Sequence, residues 1–275
     1  MRKTTIMYPF TLGGKSIHTG QVAAMEIRRG TSGILFVRRV RGGSKYSIRA
    51  IHSNIVCSER RTVLGRDGIT VATVEHVLAA LYGMGIDCAN VMLDGWECPN
   101  MGGSVESLTS RLCGNTINMN ADREYIRLDG PIVVEGKGGV IKASPCDDLF
   151  IEYEAKFDDP IGEQYFGGKI DPETFQGEIA GARTFGFTDE IEELKRNGLS
   201  LGSNPGNAIF VDRGGSYQTK LRWEDECVRH KVMDLIGDLA LLGKPLLAHI
   251  NAYKTGHTLH HKFVREVARR DTGKG

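Results

Sequence analysis

The run from His230 to Asp238, HKVMDLIGD, restricts the fold more than any other segment of the sequence. If it forms a helix, positions 230, 234 and 238 share one stripe, which carries one imidazole and two carboxylates. The apolar residues between them predict a largely buried helix, where charged groups are unfavourable unless they are paired or bind a metal. Taken alone, H-x3-D is typical of a solvated helix face. The alternative is a metal site in which His230 and Asp234 are two ligands.

The charge balance of the chain limits its partners. Among 275 residues, 35 are basic and 34 are acidic, and the formal net charge is +1. This balance offers no general attraction for nucleic acid or an anionic membrane, so an anionic substrate must meet a local positive cluster. No run is long enough to span a bilayer, which predicts a cytoplasmic protein without stable membrane insertion. The six cysteines form no C-x-x-C pair and are expected to be reduced.

Short apolar segments separated by glycines indicate an α+β fold. Strand patterns occupy residues 22–27, 34–39, 88–93, 125–128, 132–135, 140–143, 150–153 and 245–252. Helical periodicity is present at residues 71–82, 189–197 and 224–242, with Gly83 and Gly243 as the expected caps of the first and last. Adjacent glycines predict turns at Gly13–Gly14, Gly42–Gly43, Gly102–Gly103, Gly138–Gly139, Gly167–Gly168 and Gly214–Gly215.

The segment 114–124 is the predicted domain boundary. It has little periodicity and many turn-forming residues, which are typical of a connection between domains. The prediction is therefore an N-terminal domain of residues 1–118 and a C-terminal domain of residues 124–275.

A third metal ligand must come from outside the run, and His76 is the best candidate among the eight histidines. It lies in the first predicted helix among apolar neighbours, with Glu75 beside it. Adjacent helical residues diverge by roughly 100°, so Glu75 and His76 cannot both face the same core. At the rim of a site, however, His76 could bind the metal while Glu75 reaches a water molecule on it. Three ligands would leave the open position that a catalytic zinc requires. The alternative is a core histidine beside a surface glutamate.

His257 is a candidate general acid. It lies in the segment TGHT, predicted as a loop before a basic helix over residues 262–270. A carboxylate such as Asp238 would raise its pKa and keep it cationic near neutrality, which suits an acid or a cation opposite an oxyanion. The alternative is an exposed loop histidine. His260 and His261 are expected to face solvent.

Taken together, six motifs resemble one family. They occur in the order GKSIHTG (14–20), TVEHVLAAL (73–81), ECPNMGGS (97–104), ARTFGF (182–187), HKVMDLIGD (230–238) and KTGH (254–257). This set is similar to that of the zinc-dependent UDP-3-O-acyl-N-acetylglucosamine deacetylases of lipid A biosynthesis, over almost the whole chain. The resemblance implies an enzyme that removes the N-acetyl group of a UDP-activated, acylated amino sugar.

The resemblance also implies a metal centre. One Zn²⁺ per chain would be bound by His76, His230 and Asp234, with Glu75 as the general base that activates water. The tetrahedral oxyanion would be stabilised by the metal and by Thr184 of the ARTF motif.

Further residues correspond to the family's proton donor and substrate contacts. His257, oriented by Asp238, would protonate the departing amine. Lys231 would lie near the sugar and diphosphate of the substrate, and His18 near the acyl chain and the metal. The rings of Phe157 and Phe185 are the remaining candidate substrate contacts, and Phe157 would pack against the nucleobase.

The implied fold is two layered α/β sandwich domains packed face to face, each with a small insert and with the active site at their interface. The second insert, residues 186–209 here, would form an apolar passage for the acyl chain. Candidate lining residues are Ile191, Leu194 and Leu199, for which the core face of a small helix is the alternative. A monomer is expected.

Two positions depart from the family pattern. Gly102 stands where the family usually has an acidic residue, and Asp159 stands where many members have histidine. An acid beside a diphosphate is unfavourable, so two alternatives remain. One is a zinc deacetylase for another N-acetyl amino sugar or nucleotide sugar, and the other is a non-catalytic homologue that binds sugar nucleotides.

Overall fold

The computed structural model describes residues 1–39 and 43–272. Its strands are β1 (Arg2–Ile6), β2 (Phe10–Lys15), β3 (Val22–Arg29), β4 (Ile34–Arg39), β5 (Lys45–Arg49), β6 (Ile55–Cys57), β7 (Val63–Arg66), β8 (Ile69–Ala72), β9 (Ala89–Leu93), β10 (Thr116–Asp122), β11 (Ile126–Arg127), β12 (Ile132–Gly136), β13 (Gly139–Pro145), β14 (Leu149–Lys156), β15 (Glu163–Lys169), β16 (Phe185–Phe187), β17 (Ile209–Val211) and β18 (Leu246–Tyr253). Its helices are α1 (Glu75–Gly83), α2 (Glu106–Leu112), α3 (Pro172–Thr174), α4 (Thr188–Arg196), α5 (Glu226–Leu239) and α6 (His257–Thr272). Short 3₁₀ or π turns occupy His52–Asn54, Phe175–Ile179 and Ala240–Leu242.

The first half of the chain forms a five-stranded sheet in the order β2-β3-β9-β4-β5. Strands β4 and β9 are parallel, and the other neighbours are antiparallel. In β3 the alternate residues Ala23, Met25 and Ile27 are buried, so one face of the sheet is directed to the core. A three-stranded sheet, β6-β7-β8, precedes α1.

The second half forms a six-stranded sheet, in which five strands follow the order β12-β13-β18-β14-β15 and the sixth, β11, pairs with β18. Strand β18 is parallel to β14 and β11 and antiparallel to β13. Helices α5 and α6 pack against this sheet. A smaller unit lies in the predicted insert: β16 and β17 pair in parallel, and α4 lies between them in sequence.

Helix α1 of the first half packs directly against α5 of the second. The two backbones approach closely at Gly237, where an added Cβ would lie 2.1 Å from the carbonyl oxygen of Glu75. Buried apolar residues of the five-stranded and the six-stranded sheet belong to one continuous core. The mixed, layered architecture confirms the α+β class. The proposed limits of two domains stay a prediction.

Several sequence-based predictions need correction. Helix α1 begins at Glu75 rather than at residue 71, because residues 71–72 complete β8. Strand β10 occupies most of the segment 114–124 and pairs with β1, so this segment is not irregular. The glycine pairs at residues 13–14 and 167–168 lie within strands β2 and β15 rather than in turns. The pair at residues 42–43 lies partly outside the described residues.

The largest correction concerns α6. It begins at His257, five residues before the predicted helix, and brings His260 and His261 into the protein interior. These side chains are therefore buried, not solvent-facing. In the two described ranges, no helix is long and apolar enough to cross a bilayer.

Candidate active site

A cavity of about 560 Å³ collects most of the residues that the sequence singles out. Residues from both halves of the chain line it. The predicted site residues in its walls are His18, Glu75, His76, Thr184, Phe185, Ile191, Leu194, His230, Lys231, Asp234 and His257. The remaining predicted residues, Asp238, Phe157 and Leu199, do not belong to the described cavity wall. Asp238 lies directly behind His257 and acts on the cavity through it.

Helices α1 and α5 bring His76, His230 and Asp234 together at the cavity wall. Asp234 Oδ1 is 3.5 Å from His76 Nε2 and 3.6 Å from His230 Nε2. The three ligand atoms lie within 4.8 Å of one another, and all three side chains are buried. The arrangement follows from the sequence, since His230 and Asp234 are one turn apart and α1 packs against α5.

The surrounding contacts orient two of these three groups. His230 Nδ1 is 3.2 Å from the carbonyl oxygen of Ala182, which can only accept, so Nδ1 carries a proton and Nε2 presents a lone pair. Burial lowers the pKa of His230 to about 4, which keeps the ring neutral. Lys231 Nζ donates to Asp234 Oδ2 at 2.6 Å and leaves Oδ1 toward the histidines.

This donor set fits a divalent metal ion. Two imidazole nitrogens and one carboxylate oxygen are a common set for catalytic zinc. The fixed tautomer of His230 and the lysine on Asp234 are the kind of outer contacts that orient metal ligands. A second group of described residues, Asp238, His257 and His260, also has ligand atoms within 4.8 Å of one another. In that group, direct hydrogen bonds already account for the short distances.

Glu75, the first residue of α1, lies between the histidine cluster and His257. Its Oε2 accepts a hydrogen bond from the backbone N–H of Thr62 at 3.0 Å, and its Oε1 is 4.0 Å from His257 Nε2. The side chain is almost fully buried, and this burial raises the pKa of the carboxyl group above its ordinary value. A carboxylate in this position can accept a proton near neutrality more readily than an exposed one.

His257 is held by Asp238. Its Nδ1 donates to Asp238 Oδ2 at 2.7 Å, so its Nε2 faces the cavity and Glu75. Burial opposes protonation of the ring, but the charge of Asp238 and the hydrogen bond to it outweigh burial and raise the pKa of His257 to about 9. At neutral pH the ring is therefore cationic and carries a proton on Nε2.

Three further side chains contact Asp238, and the sequence reasoning missed all of them as site residues. His260 Nδ1 is 2.8 Å from Oδ2, His261 Nε2 is 3.1 Å from Oδ1, and Thr62 Oγ1 donates to Oδ1 at 2.6 Å. Spacings of three and four residues from His257 place both histidines on one helix face. This spacing would have revealed them if the helix had been predicted to begin at His257.

The predicted acyl and nucleotide contacts are only partly at the cavity. Ile191 and Leu194 of α4 line it, whereas Leu199 is half-buried outside the described wall. The ring of Phe185 lines the cavity, and its centroid is 6.1 Å from that of His230. Phe157 packs behind it with ring centroids 5.1 Å apart.

Basic residues that the sequence reasoning did not select also line the cavity. They are Arg60, Lys137, Lys254 and Lys262. Together with Lys231 they supply the local positive charge that the nearly neutral composition requires for an anionic substrate. The sequence gives little indication of this basic cluster, because its residues are far apart along the chain.

A buried cluster of two histidines and one carboxylate, flanked by a glutamate and a cationic histidine, is typical of metal-dependent hydrolases. The LpxC family model, described as UDP-3-O-acyl N-acetylglycosamine deacetylase, matches residues 3–269. The chain belongs to this family.

Curated relatives are similar over nearly their whole length. A protein of Syntrophotalea carbinolica is 38% identical over 271 residues, covering 96% of this chain and 87% of the relative. One of Oleidesulfovibrio alaskensis is 40% identical over 273 residues, covering 98% and 89%. One of Myxococcus xanthus is 38% identical over 262 residues, covering 94% and 83%. All three carry the name UDP-3-O-acyl-N-acetylglucosamine deacetylase.

Proposed function

We propose that this protein hydrolyses the N-acetyl group of UDP-3-O-acyl-N-acetylglucosamine and releases acetate and the free amine, a step of lipid A biosynthesis. The observation that carries the proposal is the position of Glu75 and His257 beside the cluster of His76, His230 and Asp234 in one cavity. The family membership and the names of the relatives support the same reaction. A cytoplasmic monomer remains our expectation.

His76, His230 and Asp234 would hold the metal ion, and we propose that this ion is zinc. When bound, it would polarise the acetamide carbonyl and lower the pKa of water. The protein itself prepares the ligand atoms: Ala182 fixes the His230 tautomer and Lys231 occupies one oxygen of Asp234. Carboxylate charges raise the pKa of His76 although burial opposes this, so a proton competes with a metal ion there and metal affinity should fall in acid.

Glu75 is the proposed general base. The N–H of Thr62 holds Oε2, and Oε1 is turned toward His257 and the cavity. A water molecule beside Oε1 can transfer a proton to it as the oxygen attacks the amide carbon. The pKa raised by burial suits this step, because a base with a pKa closer to neutrality retains the proton better during the reaction.

His257 is the proposed general acid. Its Nδ1–H is bound to Asp238, which leaves the Nε2–H to be transferred to the departing amine nitrogen. Asp238 keeps the ring cationic until that transfer, since its charge favours the protonated form. The hydroxyl group of Thr184, which lines the same cavity, would donate to the developing oxyanion.

The rest of the cavity would bind the substrate. Lys231 and the four basic wall residues would face the diphosphate, and Ile191, Leu194 and His18 would contact the acyl chain. Phe185 would contact the sugar. Phe157 and Leu199 do not belong to the described cavity wall, so a nucleobase contact of Phe157 and an acyl contact of Leu199 would lie beyond this wall.

The test is release of acetate from UDP-3-O-acyl-N-acetylglucosamine by protein with metal, after chelation, and after zinc is restored. UDP-N-acetylglucosamine, which lacks the acyl chain, is the comparison substrate. We expect turnover of the acylated substrate that chelation abolishes and zinc restores. No turnover by metal-replete protein would contradict the proposal, and turnover that resists chelation would contradict the metal assignment. Preference for the unacylated sugar would favour a deacetylase of another nucleotide sugar, in line with the departures at Gly102 and Asp159.

A further inference from the structure

Thr62 contacts the two carboxylates that take part in the proposed proton transfers, Glu75 and Asp238. The residue is fully buried and immediately precedes β7. Its backbone N–H donates to Glu75 Oε2 at 3.0 Å, and its hydroxyl group donates to Asp238 Oδ1 at 2.6 Å. Asp238 lies 176 positions later in the sequence, so this one residue links the proposed base in the first half to the carboxylate behind the proposed acid in the second.

Asp238 receives hydrogen bonds at both oxygens. Oδ1 is bound by Thr62 and His261, and Oδ2 is bound by His257 and His260. A carboxylate held by a single donor can rotate about its side-chain bond, whereas donors on both oxygens fix its plane. Besides His257 itself, three donors therefore restrain the Asp238 carboxylate: Thr62, His260 and His261. This carboxylate in turn orients His257.

His260 donates to Asp238 without adding charge. Burial lowers the pKa of this imidazole to about 4, although Asp238 opposes the shift, so the ring is neutral. Since an ionised carboxylate can only accept, the single ring proton is on Nδ1. The Nε2 atom lies 2.9 Å from the hydroxyl oxygen of Thr255 on the other side of the ring. A neutral donor holds Asp238 without introducing a second cation that would disfavour protonated His257.

A purely structural role does not explain this group well. His260 and His261 are at most 1% exposed, in a part of α6 where apolar side chains would avoid the desolvation of two imidazoles. Their shared feature is a ring nitrogen directed at Asp238.

We propose that Thr62, His260 and His261 are positioning residues that fix Asp238 in one orientation and thereby aim His257 Nε2 at the reacting amide. The inference rests on the proposed function, because it assigns the three residues to the acid of that reaction. None of them belongs to the described cavity wall, so they would act through Asp238.

The first test is Thr62→Val, which removes the hydroxyl group and keeps the backbone N–H to Glu75. We expect kcat to fall roughly 10–100-fold, as when an outer contact of a catalytic group is lost. The KM for the UDP-sugar should stay within about twofold, since no substrate contact changes. Metal content should be unchanged. Thr62→Ser, which retains the donor, should recover most of the rate.

Thr109→Val is the matched control. Thr109 is equally buried, and its hydroxyl group bonds to the carbonyl oxygen of Glu106 in α2, away from the cavity. It should lose stability comparably while kcat is retained. If Thr62→Val does not fold, His260→Leu replaces it, with His260→Asn as the variant that retains a donor near the Nδ1 position.

A double-mutant cycle with Asp238→Asn shows whether the effect passes through Asp238. We expect Thr62→Val to lower kcat in the wild type and to have little further effect beside Asp238→Asn. An unchanged kcat in Thr62→Val, or an equal loss in both backgrounds, would overturn the inference. Failure of the proposed function itself would be distinct, because the wild-type protein would then release no acetate.

Discussion

Gly237 of α5 lies against the backbone of Glu75 of α1, so closely that an added Cβ would be 2.1 Å from the Glu75 carbonyl oxygen. Glycine inside a helix is unfavourable by roughly 1 kcal/mol relative to alanine. At position 237 it is nevertheless required, because only glycine permits this close approach of the two backbones. The contact sets the distance between the helix that carries His76 and the helix that carries His230 and Asp234. The geometry of the ligand cluster therefore depends on a residue without a side chain.

Gly237→Ala should force α1 and α5 apart. We expect the free energy of unfolding to fall by about 3 kcal/mol or more, because the clash is with backbone that cannot rotate away. Metal affinity should fall as well, since the proposed ligands come from both helices. Thermal unfolding and metal titration would measure the two effects. Gly177→Ala is the control, because an added Cβ there meets no described atom within 4 Å apart from its chain neighbours and its own helix backbone. Unaltered metal affinity in Gly237→Ala would contradict this account of the helix contact.

Glu75→Gln should retain the fold and the metal while losing the base. We expect kcat to fall about 10²–10⁴-fold, the usual contribution of a general base, with metal content unchanged by elemental analysis. Glu106→Gln is matched to it, since Glu106 is also the first residue of a helix but pairs with Arg222 away from the metal ligands. Substantial activity in Glu75→Gln would remove Glu75 from the proposed role.

The rate should depend on pH through Glu75 and His257. In the proposed mechanism the active form has Glu75 ionised and His257 protonated, so the rate should rise as Glu75 loses its proton and fall as His257 loses its own. Burial raises the pKa of Glu75 and so moves the acidic limb to higher pH, whereas a bound dication would oppose this shift. Asp238 overcomes burial and raises the pKa of His257 to about 9, and a bound dication would lower it, so the basic limb lies at or below about pH 9.

The contact with Asp238 is therefore the reason that the basic limb can lie above the ordinary range of histidine. His257→Gln should remove the basic limb from the kcat profile. His249→Gln is the control, because His249 pairs with Glu152 and does not belong to the described cavity wall. A basic limb that persists in His257→Gln would rule out His257 as its source.

Substitutions of Leu194 and Leu199 can show whether α4 lines an acyl passage or only forms the core face of a small helix. Leu194 lines the cavity and Leu199 does not belong to its described wall. Leu194→Trp should narrow the passage and raise the KM for a long-chain substrate about tenfold or more. Burial of each methylene group contributes about 0.8 kcal/mol, so exclusion of only two such groups is enough for this effect. A short-chain substrate should be unaffected, and Leu199→Trp should change neither value. Equal effects of the two variants on both substrates would contradict the assignment of the passage.

Much of the fold follows from sequence patterns. Alternation in β3 and the long apolar run of α5 identify these elements because each buries one regular face. The start of α1 was harder to locate, because residues 71–72 are apolar and suit a buried strand as well as a helix. Strand β10 was missed because its polar residues are held mainly by pairing with β1.

The ligand cluster could be predicted from the motifs and their resemblance to one family, whereas the contacts around Asp238 could not. His260 and His261 appear polar and solvent-facing when α6 is expected to begin at residue 262. Thr62 has no local signal, since its role depends on a contact with a residue 176 positions away. Such long-range contacts arise from the packing of the two halves.

The most direct test of the account is the location of zinc by anomalous scattering from crystals of the protein grown with one equivalent of the metal. We predict a single strong site at about 2.0–2.2 Å from His76 Nε2, His230 Nε2 and an oxygen of Asp234, and its loss in His230→Ala. Zinc bound instead at Asp238, His257 and His260, or a site that survives in His230→Ala, would contradict the proposed metal centre.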